Sequence, residues 1–269
     1  MLIAFVGGGN MATALIGGLV NPPRAHITIR VSDPDAAARE RLESTFRIET
    51  YEDTASAVDG ADVILLAVKP QIMPMVLSGL AGRVRPGQLI LSIAAGTTTG
   101  NIRSQLGEEI NVIRSMPNTP ALIGHGITGV FAGAGCSEQQ KQDAEEILAS
   151  AGEVVWLDDE ALMDAVTAIS GTGPAYYFLL TEVLAEAARE MGIPDDPAKK
   201  LESVTCVGAG AMLASNPGEA EELRRRVTSP NGTTHAAITL LESRGYRELV
   251  KHAAEAARRR SQELSGDET

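Results

Sequence analysis

The sequence predicts an α/β protein in two parts, a doubly wound, mostly parallel sheet followed by an all-helical region. Three observations predict it. Up to residue 157, short apolar runs alternate with helix-like segments, the pattern of βαβ units. The first of these runs opens onto a glycine cluster that leads straight into a helical pattern. After Asp158 the strand-like runs stop, and long Ala-, Leu- and Glu-rich stretches take over.

Each element has its own justification. LIAFV (2–6) is a short continuous apolar run, followed by the helical pattern MATALIGGLV. HITIRV (26–31) is β-branched and ends at Ser32-Asp33-Pro34, after which PDAAARERLEST reads as a charged helix. A short strand is expected near IETY. DVILLAV (62–68), QLILSIA (88–94), INVIRSM (110–116) and GITGVFA (126–132) are apolar enough to be buried on both faces. SEQQKQDAEEILASAG (137–152) has a capping Ser at its start and Gly at its end, and EVVWL (153–157) closes the series. The helical part runs from ALMDAVTAIS to YRELVKHAAEAARRRSQEL. The expected domains are therefore 1–158 and 159–269, separated by a change of pattern rather than by a linker.

Composition narrows the function. The chain has 269 residues, 44% hydrophobic and 22% charged, which suits a globular protein with a substantial core. Its net charge of −12 argues against nucleic acid or an anionic membrane as partner, since both would be repelled. Cys136 and Cys206 stand far apart and form no Cys/His cluster, so neither a metal site nor a disulfide framework is expected. The apolar N-terminus lacks a basic region, and no run approaches the ~20 apolar residues of a membrane span. A cytoplasmic protein is expected.

Gly7-Gly8-Gly9-Asn10-Met11-Ala12 matches G-x-G-x-x-[GA] between a strand and a helix, the context in which that pattern denotes a dinucleotide site. Gly7 permits the tight turn, Gly9 lets backbone approach a pyrophosphate, and Ala12 keeps the helix close to the strand. The bare alternative is a glycine-rich turn. Asp33, near the end of the second strand, either hydrogen-bonds a ribose 2′-OH or caps the next helix. Its neighbours Arg30 and Ser32 leave the choice between NAD and NADP open. Ala67-Val68-Lys69-Pro70 and Ala94-Ala95-Gly96 follow strand ends, where ligands bind in open parallel sheets. Met116-Pro117-Asn118-Thr119-Pro120 makes a rigid loop past the next strand, suited to one wall of a pocket.

GGGNMA, AVKP, SIAAG, RSMPNTP, AISGTGPAYYF and VTSPNGTTHAAI, in that order, resemble the motifs of the pyrroline-5-carboxylate reductase family. The resemblance spans nearly the whole chain, and SGTGPAY with TSPNGTT is far more specific than a dinucleotide fingerprint. It implies a Rossmann-type domain followed by a helical dimerisation and substrate domain. It implies reduction of Δ1-pyrroline-5-carboxylate to L-proline with NAD(P)H, the last step of proline synthesis. NADP(H) is the expected cofactor and NAD(H) the alternative. A homodimer through the helical domain is implied, within a larger ring such as a decamer, with each active site at the dimer interface. Three departures stand out. Asn231 replaces a glycine, Asp53-Thr54 stands where many members have Asp-Asn, and Ser32-Asp33 differs from the Asn-Arg of NADP-preferring members.

The resemblance gives TSPNGTT (228–234) a purpose. The substrate is a cyclic imine bearing a carboxylate. Backbone N–H groups of Gly232, Thr233 and Thr234 at a helix start would hold that carboxylate, and Ser229 would add a hydroxyl. Thr234 would place its own hydroxyl near the ring nitrogen as the catalytic residue. Read without the family, the stretch is a capping loop. Gly171 and Gly173 are expected to break one helix, with Pro174 starting the next. Glu160 matches an acidic position that the family places near the substrate amine; otherwise it is a solvated helix-start glutamate. His125, His235 and His252 have no expected role. Two rivals share the cofactor half. A β-hydroxyacid-type dehydrogenase would need a lysine near Pro174-Ala175-Tyr176-Tyr177, where none stands, and a nucleotide-sensing module would have no need of TSPNGTT.

Overall fold

The computed structural model describes residues 1–265. Its first half alternates β1 (Leu2–Val6), α1 (Asn10–Val20), β2 (Thr28–Ser32), α2 (Ala36–Phe46), β3 (Glu49–Tyr51), α3 (Thr54–Val58) and β4 (Val63–Leu66). It continues with α4 (Met73–Leu80), β5 (Leu89–Ser92), α5 (Thr99–Leu106), β6 (Asn111–Met116), β7 (Gly126–Ala132), α6 (Glu138–Leu148) and β8 (Gly152–Leu157). The helical remainder is α7 (Met163–Val166), α8 (Gly173–Glu190), α9 (Asp195–Ser215), α10 (Ala220–Arg226), α11 (Thr233–Ser243) and α12 (Tyr246–Ser265).

The eight strands form one sheet in the order β3-β2-β1-β4-β5-β6-β7-β8. Every pairing is parallel except β6 with β7. That reversal follows from the connection. Residues 117–125 are too few for a crossover, which takes a dozen or more, so the chain turns back on itself. The mostly parallel sheet of the sequence reading thus contains one antiparallel step.

β1 shows why both faces are covered. Ile3 and Phe5 point to a core shared with Leu15, Leu42 and Ile147 of α1, α2 and α6. Ala4 and Val6 point the other way, to Val58, Leu77 and Ile102 of α3, α4 and α5. Each large side chain sealed in this way contributes about 1.5–3 kcal/mol of transfer free energy. Ser137 begins α6 with a full capping box, its hydroxyl accepting from the Gln140 N–H while the Gln140 side chain accepts from the Ser137 N–H.

Two compact units result, one of residues 1–172 with 257–265, the other of residues 173–256. The last strand ends at Leu157, where the sequence pattern changes. In the first unit, α7 packs on β6 and β7. In the second, α8 packs on α9. The expected helix break at SGTGP falls at Thr172, between α8, which begins at Gly173 rather than Pro174, and a π turn over Thr167–Gly171, closed by the Thr172 N–H on the Thr167 carbonyl at 2.8 Å. Such bulges are frequent at functional sites.

Candidate active site

The strand order reverses between the parallel neighbours β1 and β4, and the loops beyond these strands meet there. Gly7 has φ +102°, and a Cβ on it would lie 2.6 Å from the Ala67 carbonyl oxygen. Only glycine fits that turn. Its N–H donates to the Ser32 carbonyl at 2.8 Å, which ties the loop to β2. At Gly9, by contrast, a Cβ would meet nothing within 4 Å. Gly9 and Asn10 are exposed, Met11 is half-buried, and Ala12 is sealed beneath the helix. Open space above bare backbone at the start of an eleven-residue helix is a cradle that fits a pyrophosphate.

Asp33 is not a helix cap. Asp35 caps α2, accepting from the Ala37 N–H at 3.0 Å. The Asp33 carboxylate accepts instead from the Gly8 N–H at 2.7 Å and the Asp35 N–H at 2.9 Å, which fixes it against the glycine loop. Arg30 is engaged elsewhere, with Glu49 at 3.3 Å, the Asp59 carbonyl and the Tyr51 ring. Sequence reasoning missed Arg41, whose guanidinium donates to the Gly8 carbonyl at 3.1 Å and brings a cation to the loop. Buried Ser32 donates to the Thr54 hydroxyl at 3.3 Å, and Asp53 caps α3 by accepting from the Ser56 N–H. Hydrogen bonding from the Ser56 side chain, and then from its N–H, holds the Asp53 carboxyl below its ordinary range.

The remaining loops lie at the same end of the sheet. The Ala67 N–H donates to Val6, and Val68 is half-buried. Lys69 is exposed and precedes a short 3-10 turn that starts at Pro70. Ala94 is buried, Ala95 half-buried, and Gly96 takes φ +70°. Met116 packs under Gly171, where a Cβ would lie 2.6 Å from its Cε. Pro117 is buried. The Asn118 side chain turns inward, donating to the Ser170 carbonyl at 3.2 Å and accepting from the Ile127 N–H at 3.0 Å.

Glu160 is not solvated. Its carboxylate accepts from the Thr99 N–H at 2.8 Å and the Thr99 hydroxyl at 2.7 Å, and it pairs with Arg114 at 3.3 Å. Arg114 is buried within β6 and also faces Asp164 at 3.6 Å, which in turn accepts the Ser261 hydroxyl at 2.7 Å. The only sequence signal for this cluster was an arginine inside an apolar strand, which requires a buried anionic partner.

In the helical unit, TSPNGTT forms a tight loop into α11. Asn231 takes φ +60°, the left-handed conformation that asparagine tolerates. The Gly232 N–H is not free, because it donates to the Ser229 carbonyl at 3.0 Å. The expected anion site therefore contracts to Thr233 and Thr234. A Cβ at Gly232 would lie 2.7 Å from the Ser229 hydroxyl, so that hydroxyl stands directly beside the helix start. Among the described residues no side chain caps this start. Thr228 closes the preceding helix instead, donating to the Arg224 carbonyl at 2.6 Å. Hydroxyls cluster here, yet the first-turn N–H groups stay open, an arrangement that suits a carboxylate.

Residues 160–264 match the family described as pyrroline-5-carboxylate reductase dimerisation, and residues 2–96 match one described as NADP oxidoreductase, coenzyme F420-dependent. A pyrroline-5-carboxylate reductase of Pseudomonas aeruginosa is 47% identical over 98% of this chain and 96% of its own. The solved structure of a pyrroline-5-carboxylate reductase from Coxiella burnetii is 37% identical with a TM-score of 0.90, covering 98% of each chain. That of Plasmodium falciparum pyrroline carboxylate reductase with NADP bound is 27% identical, with a TM-score of 0.86 over 98% of each chain. Identity at this level along nearly the full length shows that the chain belongs to the pyrroline-5-carboxylate reductase family.

Proposed function

We propose that this protein reduces Δ1-pyrroline-5-carboxylate to L-proline with NADPH or NADH, the last step of proline synthesis. The observation that carries the proposal is the uncapped start of α11 beside the Ser229 hydroxyl. It supplies an anion site without a lysine, which suits an acidic protein.

The bound nicotinamide supplies a hydride for the imine carbon. The backbone at Gly7, Gly8, Gly9, Asn10 and Met11 holds the pyrophosphate, with Ala12 closing the helix onto the sheet. Ser32 and Asp33 face the adenosine ribose, and Arg41 adds a positive neighbour. The loops at 67–70, 94–96 and 116–118 line the rest of the cofactor. The Thr233 and Thr234 N–H groups fix the substrate carboxylate, and Ser229 donates to it. The Thr234 hydroxyl orients the ring nitrogen and passes it a proton or holds the water that does. A protonated imine is already electrophilic, so placement and electrostatics carry the rate, and no histidine is required.

The working protein is a homodimer through the helical unit, within a larger ring such as a decamer. Exposed apolar side chains such as Phe178, Val204 and Val207 support the dimer. Two free cysteines support a cytoplasmic setting, and among the described residues no helix is long and apolar enough to cross a membrane.

The test is cofactor oxidation in the presence of candidate substrates. Pyrroline-5-carboxylate should drive consumption of NADPH or NADH, while β-hydroxyacids with the oxidised cofactor, and oxoacids with the reduced one, should not. Turnover of a hydroxyacid in place of the imine would transfer the protein to the rival dehydrogenase class.

A further inference from the structure

The last turns of the chain pack on the loop that follows β5. A Cβ on Gly96 would lie 3.0 Å from the backbone and side chain of Leu264, so α12 lies directly on this loop. The Asn101 amide donates to the Ser265 carbonyl at 3.4 Å, which binds α12 to α5 as well. Pro70 and Gly96, one from each of two loops assigned to the cofactor, line a single crevice with Glu263 and Leu264. The buried charge cluster fixes the same region from below. Glu160 takes both the N–H and the hydroxyl of Thr99, the first residue of α5. Arg114 holds Glu160 and faces Asp164, which accepts the hydroxyl of Ser261 on α12.

The chain of contacts therefore runs from the C-terminal helix, through three buried or half-buried charges, to the residue that ends the Ala94–Ala95–Gly96 loop. Its members come from four separate parts of the sequence. A cluster meant only to close a core would not need to converge on one loop. Replacing a buried ion network with apolar side chains is often neutral or stabilising, so stability alone does not account for it.

We infer that Ser261, Asp164, Arg114 and Glu160 form a clamp that sets the β5–α5 loop for the dinucleotide. Glu160 is then a positioning residue that acts through Thr99. The inference rests on the reading that residues 94–96 line the cofactor. With the clamp released, the loop samples more conformations, and the cofactor must order it on binding.

The experiment uses the full-length protein and two readouts, NADPH affinity by fluorescence titration and amide exchange of the 94–99 segment without cofactor. Ser261→Ala removes the hydroxyl from Asp164. Thr99→Val removes one bond to Glu160, and Thr99→Ser retains it. Ser261→Ala and Thr99→Val should each weaken NADPH binding on the order of tenfold, the loss expected of one charge-assisted hydrogen bond. Both should speed exchange at 94–99 and leave β1 protected, with kcat changed far less than the cofactor KM. Thr99→Ser should behave as wild type. Gly9→Val, which fills the pyrophosphate cradle, is the control. If it abolishes NADPH binding while Ser261→Ala and Thr99→Val bind normally, the clamp is wrong and the cofactor assignment stands. If Gly9→Val itself binds NADPH normally, the assignment falls and the clamp with it. Equal losses in Thr99→Ser and Thr99→Val would also overturn the clamp.

Discussion

Phe5, Leu15 and Ile64 of the sheet unit are fully buried, whereas Phe178, Val204 and Val207 of the helical unit are 66%, 62% and 72% exposed. Among the described residues of the helical unit, the buried apolar side chains are only Ala185 and Ala198. Yet the helices are well formed, with α8, α9 and α12 running for five or more turns. The sheet unit closes a core around itself. The helical unit has the apolar surface of a core without the depth to bury it, and contiguous exposure of this kind marks an interface. One unit is a folding unit within a single chain, and the other leaves apolar faces for a second chain to cover.

The comparison breaks most readily at Phe5. Phe5→Ala should cost about 3–5 kcal/mol, as expected for a large fully buried aromatic. The loss should be the same at every protein concentration when read by denaturant titration. Val207→Asp should act in the opposite way. It places a charge on a surface that is exposed in one chain and buried in the pair, so it should shift the protein toward monomers in light scattering, by roughly a tenfold or greater rise in the dimer Kd. A Val207→Asp protein that remains a dimer at low micromolar concentration would move the interface off α9.

A smaller effect belongs to Asp33. Its carboxylate is held against the glycine loop, where, on the proposed cofactor reading, it would oppose a 2′-phosphate. Asp33→Ser should raise the ratio of NADPH to NADH efficiency on the order of tenfold, about the effect of one partly screened charge. An unchanged ratio would leave Asp33 as a brace for the Gly8 N–H alone.

The smallest effect lies on the surface of the helical unit. Hydrogen bonds from Arg225 and then Arg226 lower the Glu222 carboxyl to about 2, from an ordinary 4.5. A depressed carboxylate stabilises the fold above its unfolded value and loses that contribution as pH falls through its folded one. Any stabilisation by this triad should thus be complete above about 4.5 and fade toward about 2. Comparing acid unfolding of the wild type with that of Glu222→Gln measures it. The group lies at the protein surface, where ion pairs are worth little, so the difference should be slight.

Much of this was legible before the fold was known. Continuous apolar runs announced the buried strands, and Gly7 and Gly9 announced a turn and an open backbone at the switch point. The order of β6 and β7 was harder, since GITGVFA reads the same in either direction and only the short connection 117–125 decides it. Beyond an arginine in an apolar strand, the Glu160 cluster has no local signature, because its bonded partners lie 46 to 97 residues apart along the chain. The π turn differs from an α turn by one hydrogen-bond partner, which no residue type encodes. The same limit explains Gly232, whose N–H was expected to be open but is closed on Ser229 by the geometry of the loop.

The central claim is that the α11 start binds and orients substrate rather than serving as an ordinary helix cap. Steady-state kinetics and thermal melts of Thr234→Ala and Thr234→Ser test it most directly. Among the described residues Thr234 caps no helix end, so Thr234→Ala should keep its melting temperature and lose turnover on the order of 10- to 1000-fold, the range expected for a hydrogen bond made most strongly in the reacting state. Thr234→Ser retains the hydroxyl and should retain much of the rate. A Thr234→Ala protein with unimpaired turnover and a lowered melting temperature would contradict the account and return TSPNGTT to a helix-capping loop.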